Sequence, residues 1–178
     1  MSDNIATSSR RRSEASLFFE KVVLAAGRAD THPGLADIDF AALRAYEPFI
    51  AIVKPDHETR TLRFSLAGAA LSQFVGHDLK GIDYLDLVDA AIKGDAFDSA
   101  FLMMSRPCGL WQVTPVSVPG GGSLAFEYTG FPVYDHIKGV GQIIFLGQPI
   151  NVAAGTFPVV GIVRHSTEWC WLEMRDAV

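Results

Sequence analysis

The stretch Thr61-Leu62-Arg63-Phe64-Ser65-Leu66-Ala67-Gly68, followed by Phe74-Val75-Gly76-His77-Asp78-Leu79-Lys80-Gly81, decides how the rest of the chain is read. Leu62, Phe64 and Leu66 are apolar and Thr61, Arg63 and Ser65 between them are polar, which is the period of a strand with one buried face. The period changes at Ala67. Leu71, Phe74 and Val75 then fall on one side of a short helix, which Gly76 can close in the left-handed region. A strand thus passes directly into a short helix and a Gly-x-Asp-Leu-x-Gly turn.

Working outward, residues 49–54 read as a buried strand, joined to a hairpin partner over residues 59–66 by the turn Pro55-Asp56-His57-Glu58. Upstream, a helix is expected over residues 14–28. Glu14, Lys21 and Arg28 recur there every seven residues as a polar stripe, and Leu17, Phe18, Val22, Leu24 and Ala25 make a broad apolar remainder. Thr31-His32-Pro33-Gly34 is a turn. Asp37 or Asp39 can cap a short second helix carrying Phe40, Leu43 and Tyr46, which Pro48 ends. Downstream, short helical pieces around residues 84–88 precede a longer helix over residues 89–105, with Phe97, Phe101 and Met104 on one face and Pro107 as its stop. Three strands follow, over residues 110–118, 124–133 and 140–146. They are separated by Gly120-Gly121-Gly122 and by Asp135-His136-Ile137-Lys138-Gly139.

This order resembles that of a PAS domain. The pattern Arg63-Phe64-x-Leu66-Ala67-Gly68, then Phe74-x-Gly76-x-Asp78-Leu79-x-Gly81, is similar to that of the stand-alone bacterial single-PAS-domain proteins. Phe131-Pro132-Val133 and the turn before Val140 sit where that family has them, so the resemblance spans residues 37–148. It implies an α+β fold, a PAS-like five-stranded antiparallel sheet with helices on one face, with an N-terminal helical cap and a C-terminal extension. The expected division is a flexible tail over residues 1–13, the cap over 14–48, the PAS-like core over 49–148, and an extension over 149–178 that ends in a helix. It also implies a sensory or signalling module that acts by binding a small molecule or by protein–protein association. No kinase, cyclase or DNA-binding segment is expected in the chain, so output would pass through association. The rival is a small lyase or isomerase on a cone-shaped curved-sheet α+β barrel. That fold starts with its long helices, and the hairpin placed ahead of the main helix argues against it.

Hydrophobic residues make up 49% and charged ones 20% of the 178 residues, which suits a packed core and excludes a wholly disordered chain. The net charge of −5 is spread along the sequence and argues against a nucleic-acid partner, which calls for a basic face. The one basic cluster, Arg10-Arg11-Arg12, lies in a Ser-rich leader and reads as solvated tail. With Leu17-Phe18-Phe19 it does not make a twin-arginine export signal, because Glu20 and Lys21 interrupt the apolar core. Cys108 and Cys170 allow at most one disulfide, so the cytoplasm is the expected compartment. Residues 139–163 carry no charge, yet Gln142, Gln148, Asn151, Pro149 and Pro158 favour two strands and a loop over a membrane span. No membrane partner is expected.

His32, His57, His77, His136 and His165 lack metal-ligand spacing, so no metal is expected. No histidine lies in residues 89–105, where a haem-binding PAS domain would carry one. Neither cysteine lies in the early helices, where flavin-binding photosensory PAS proteins carry theirs, so no cofactor is expected. Glu127, Asp135 and His136 would have to act together as a general-base set, but Asp135 and His136 belong to a hairpin turn. The chain is therefore expected not to be an enzyme. Candidate ligand-binding residues are large or polar groups set among apolar ones: Trp111, Gln112, Tyr128 and Gln142, with Met103 and Met104 of the long helix as adaptable lining. The site is expected between that helix and the last three strands.

Ser166 or Thr167 can cap the final helix, with Glu168 in its first turn. That helix would carry Trp169, Trp171 and Leu172, more apolar area than water tolerates. Together with Leu17, Phe18 and Val22 of the first helix, these residues form the candidate interface of a homodimer, since an isologous contact lets one patch cover its copy. A signalling protein is the other expected partner.

Overall fold

The computed structural model describes residues 12–27, 32–106, 108–152 and 161–174. Six strands form one antiparallel sheet: β1 (Ile50–Asp56), β2 (Thr61–Ala67), β3 (Cys108–Ser117), β4 (Ser123–Asp135), β5 (Val140–Pro149) and β6 (Glu168–Glu173), in the order β2-β1-β5-β4-β3-β6. The α-helices are α1 (Glu14–Ala25), α2 (Ala69–Val75) and α3 (Lys93–Ser105). This is the expected PAS-like α+β class, with one strand more than five. The longest helix, α3, follows the β1–β2 hairpin, unlike the cone-shaped barrel. Among the described residues no helix is long and apolar enough to cross a membrane. The stop at Pro107, residues 1–11 of the expected tail and the Pro158 segment lie outside the described residues. Arg12 and Ser13, expected in that tail, are instead held: Arg12 pairs with Glu20 at 2.6 Å and Ser13 caps α1.

The opening motif folds as its period dictates. Leu62 and Phe64 are buried, and Gly76 ends α2 at φ 84°, its N–H reaching the Ser72 carbonyl at 2.8 Å. A side chain is disfavoured in that left-handed conformation, and glycine meets it without steric cost. Leu66 departs from the alternation and is 44% exposed. A register irregularity opposite it, between Ile52 and Val53, changes which face the end of β2 presents. The β1–β2 turn lies later than expected, because Asp56 closes it by accepting N–H bonds from Glu58 and Thr59 at 2.9 and 3.1 Å. Pro55 is tolerated inside β1 because the pairing with β5 runs only from Ile50 to Val53.

Both faces of the sheet are covered, so β4 is buried almost continuously from Phe126 to Asp135 whichever face a side chain points to. On one face, Trp111, Phe131, Val133, Ile144 and Leu146 pack against Phe19 and Val23 of α1 and against Leu43. On the other, Val53, Phe64 and Ile143 pack against Leu71, Phe97, Ala100 and Met103 of α2 and α3. The buried ridge of α3 is Phe97-Ala100-Met103, so Phe101 and Met104 flank it instead of forming it. The cap therefore stands opposite the main helices.

Two expected helices are corrected. The one after Asp37 is a 3-10 turn, Leu35–Asp37, followed by hydrogen-bonded turns through Tyr46. Asp39 still accepts the Ala42 N–H at 3.0 Å. The final helix is instead β6, paired with β3 from Val113↔Glu168 to Cys108↔Glu173. Without it, β3 would be an edge strand with unpaired backbone groups. Trp169, Cys170 and Trp171 are also poor helix formers, and tryptophan suits a strand. Sheet pairing outweighs a single serine or threonine cap.

Candidate functional site

Six aromatic rings from five elements close around a cavity of about 40 Å³: Phe64 of β2, Phe74 of α2, Tyr84, Phe126 and Tyr128 of β4, and Phe145 of β5. Each is placed by local rules. Alternation turns Phe64 inward, and the three-residue spacing of Leu71 and Phe74 puts both on the inner side of α2. Tyr84 opens a 3-10 turn, Tyr84–Leu87, capped by Asp83. The Asp83 carboxylate accepts N–H bonds from Leu85 at 3.1 Å and from Leu62 of β2 at 2.9 Å, which ties the turn to the strand. Tyr84 consequently meets Phe64 edge-on with ring centroids 6.2 Å apart.

The rings form a connected wall. Phe145 lies 6.3 Å from Phe64, 6.4 Å from Tyr84 and 6.1 Å from Tyr128; Phe126 stacks on Tyr128 at 5.9 Å and meets Phe74 edge-on at 5.0 Å. Edge-on and tilted pairs at these separations are the favourable ones for aromatic quadrupoles. Gly147 makes room for the wall, since a Cβ there would stand 2.7 Å from Tyr128 Cε1. The cavity's remaining lining includes Leu71, Leu79, Val116 and Val163.

The polar groups of this lining are two phenols. Burial pushes the Tyr84 hydroxyl up to about 12. Burial raises Tyr128 further, and the neighbouring Tyr84 adds to the shift. Both tyrosines are half-buried, and their phenols are the hydrogen-bonding side-chain groups of an otherwise apolar lining. The arrangement suits an uncharged guest that can accept a hydrogen bond.

The structure separates the six ligand-binding candidates. Tyr128 lines the cavity. Trp111 lies on the opposite face, fully buried under α1, and its indole N–H donates to Glu127 Oε1 at 2.7 Å. Gln142 is buried and accepts from the Ser65 hydroxyl at 2.9 Å; Gln112 accepts from the Ser166 hydroxyl at 2.8 Å. Met103 and Met104 pack in the α3 core, their methyls beside Gly130 and Gly141. Strand alternation is the reason for the split, because Trp111 and Tyr128 stand on neighbouring strands with opposite parity. The candidates missed by sequence reasoning are Phe64, Phe74, Tyr84, Phe126 and Phe145. For Phe64, Phe126 and Phe145 the signal was shared inward parity on β2, β4 and β5, which becomes visible only once the register is known; Phe74 and Tyr84 join them from α2 and the turn after it.

The imagined general-base set is also taken apart. Glu127 and Asp135 are eight residues apart on one strand, about 26 Å at about 3.3 Å per residue. Asp135 accepts the Ile137 and Lys138 N–H groups at 3.1 and 3.0 Å, as a turn residue does. Burial pushes the Glu127 carboxyl up, but donors from Ser13, Trp111 and Gln148 outweigh it and hold the group below its ordinary value. The Ser13 N–H and the Gln148 amide each lie 3.0 Å away. Ser13 is the N-cap of α1, so this carboxylate fastens the cap helix to the sheet. Ser16 and Thr129 add a buried hydroxyl contact at 2.6 Å.

Of the interface candidates, Leu17, Phe18 and Trp169 are exposed, and Val22 and Trp171 are half-buried against the core. Leu172 is buried on the α1 face. Phe18 rests against Tyr46 at 5.9 Å.

No family model matches the chain, and no curated protein is significantly similar to it. Solved structures are similar at low identity. They include the Vibrio cholerae VqmA dimer in the absence of target DNA, described with LuxR-type receptors (17% identity, 64% of this chain and 52% of that chain, TM-score 0.47). VqmA bound to DPO follows at 16% identity, 63% and 57% coverage and TM-score 0.46. The Vibrio cholerae VqmA–ligand–DNA complex follows at 18%, 62% and 50%, and 0.44. The matched region spans about half the length of these proteins. These findings correct the expected partners in their exclusion of nucleic acid, because the structures resembled include a receptor in complex with DNA. A net charge of −5 sums over the whole chain and does not report on a local basic face.

Proposed function

We propose that this chain is a sensory module which binds a small, uncharged, largely apolar molecule in the aromatic cavity and performs no chemical step on it. The observation that carries this reading is a cavity lined by apolar and aromatic side chains in which Tyr84 and Tyr128 supply the polar groups. An apolar pocket with a few polar groups to orient the guest is the usual makeup of a small-molecule site. The same observation favours binding over catalysis. A phenol held at about 12 keeps its proton at neutral pH, so it orients a guest as a donor and is a poor general base.

The test is native mass spectrometry of freshly purified protein for a retained small molecule, with saturation-transfer NMR against phenol, indole and cyclohexanone. Binding is expected for wild type and strongly reduced for Val75→Phe, which fills the cavity from the end of α2. Absence of any guest in wild type, or equal binding to Val75→Phe, would refute the reading.

A further inference from the structure

One wall of the cavity is a single extended strap of backbone from the C-terminal segment. Gly161 and Val163 line the cavity, while Gly161 and Ile162 are also exposed to solvent. The strap bridges two elements. The Gly161 N–H donates to the Ser117 carbonyl and the Ile162 N–H to Ser117 Oγ, both at 2.7 Å, which ties it to the end of β3. The Val163 N–H donates to the Leu87 carbonyl at 2.7 Å, and the Asp89 N–H to the Val163 carbonyl at 2.9 Å, which ties it to the segment after Tyr84.

The geometry points to residues 161–164 as the movable wall of this site: a ring-sized molecule is held only with the strap lifted from β3. The inference rests on the cavity being a ligand site. A volume of about 40 Å³ takes a few waters at roughly 10–15 Å³ each, whereas an engineered cavity that binds benzene measures about 150 Å³. Some wall must therefore yield to a ring. The sheet is close-packed on both faces and does not compress, and α2 buries Ala70, Leu71 and Phe74 in the core. The strap buries Val163, while Ile162 is 40% exposed and Arg164 is exposed. The bonds from exposed Gly161 and Ile162 to Ser117 lie where water can replace them, which lowers the cost of local opening there. The Ser117 N–H to Ile162 carbonyl bond and the Arg164 N–H to Pro115 carbonyl bond, both 3.0 Å, also part when the strap lifts. The strap leads into β6 through the Thr167 N–H, which donates to the Val113 carbonyl at 2.8 Å. Occupancy of the cavity is thereby reported to the C-terminal strand.

The experiment pins the strap. A Cβ at residue 161 would stand 2.8 Å from Ser117 Oγ, a separation that a disulfide spans, so Ser117→Cys with Gly161→Cys is made with Cys108→Ser and Cys170→Ser. Phenol is the probe, followed by saturation-transfer NMR. The oxidised form of this variant should bind phenol about tenfold more weakly than its reduced form, or worse, with recovery on reduction. Equal binding by both forms overturns the strap and leaves the cavity reading standing. No phenol binding by wild type overturns both. Hydrogen exchange on wild type is an independent arm that needs no substitution: saturating phenol should speed exchange of the Ile162 and Val163 amides relative to that of Ile144 in β5. Unchanged exchange at the strap also overturns the inference.

Discussion

Glu127 and Tyr128 are neighbours in sequence with opposite tasks, because alternation sends one side chain under α1 and the other into the cavity. Each makes a distinct pH dependence. Tyr84, the partner of Tyr128 in the cavity, has a folded-state value of about 12 against 10 for the free phenol. The stability gained by keeping it protonated is complete below pH 10 and is lost as pH rises from 10 toward about 12. Urea midpoints should therefore fall across that window, and less steeply in Tyr84→Phe. For Glu127 the folded value is depressed below 4.5, so its contribution is present above that pH and lost as pH falls through the folded value. Glu127→Gln keeps one acceptor but turns an amide toward donors, and should cost about 1.5–3 kcal/mol near neutral pH. Denaturation monitored by tryptophan fluorescence checks it. An unchanged midpoint would mean that the carboxylate is not what holds α1 down.

Among the elements, β6 departs most from what local sequence indicates. Its serine and threonine lead-in is a plausible helix start, yet the free edge of β3 captures the segment as a strand. Its energetic weight is testable at Leu172, which is 8% exposed and packs with Phe19 and Trp111 on the α1 face. Leu172→Ala should destabilise the chain by about 2–3 kcal/mol, at the low end for buried leucine because the strand lies at the sheet edge. Differential scanning calorimetry would read this as a lower midpoint, and an unaffected midpoint would show β6 to be a loosely held appendage. By contrast, β2, α2 and the last hairpin were legible from period and turn residues. The apolar residues of β2 repeat at two as far as Phe64, the period changes at Ala67, and Gly76 closes α2. Leu66 and the α3 ridge were misplaced for one reason. A bulge or a one-residue rotation of a face leaves composition unchanged while altering which side chain is inside.

Taken whole, the molecule is a sheet between two unlike covers, with a polar clasp under α1 and an aromatic cavity under α2. The α1 cover is one helix that buries Phe19 and Val23, extended by Ile38 and Leu43 of the turns that follow it. Removing residues 1–27 should expose Phe131 and the Trp111 indole, read as a red shift in tryptophan emission and as binding of a hydrophobic dye. Unchanged emission would show that the face is shielded without α1. The sequence by itself determined the class of fold, the order of elements and the aromatic, uncharged character of the interior, because period, turn glycines and composition are local quantities. Only the tertiary structure decided which aromatics share a cavity. Phe64, Tyr84, Tyr128 and Phe145 meet through strand register and through the Asp83 tie between distant segments. It likewise decided that Trp111 faces the other way and that the C-terminal segment lines the cavity with Gly161 and Val163 before joining β3 as β6. Pairing partners and sheet faces are set by which distant backbone edges must be satisfied and which apolar faces must be covered, and no stretch of sequence carries that information alone.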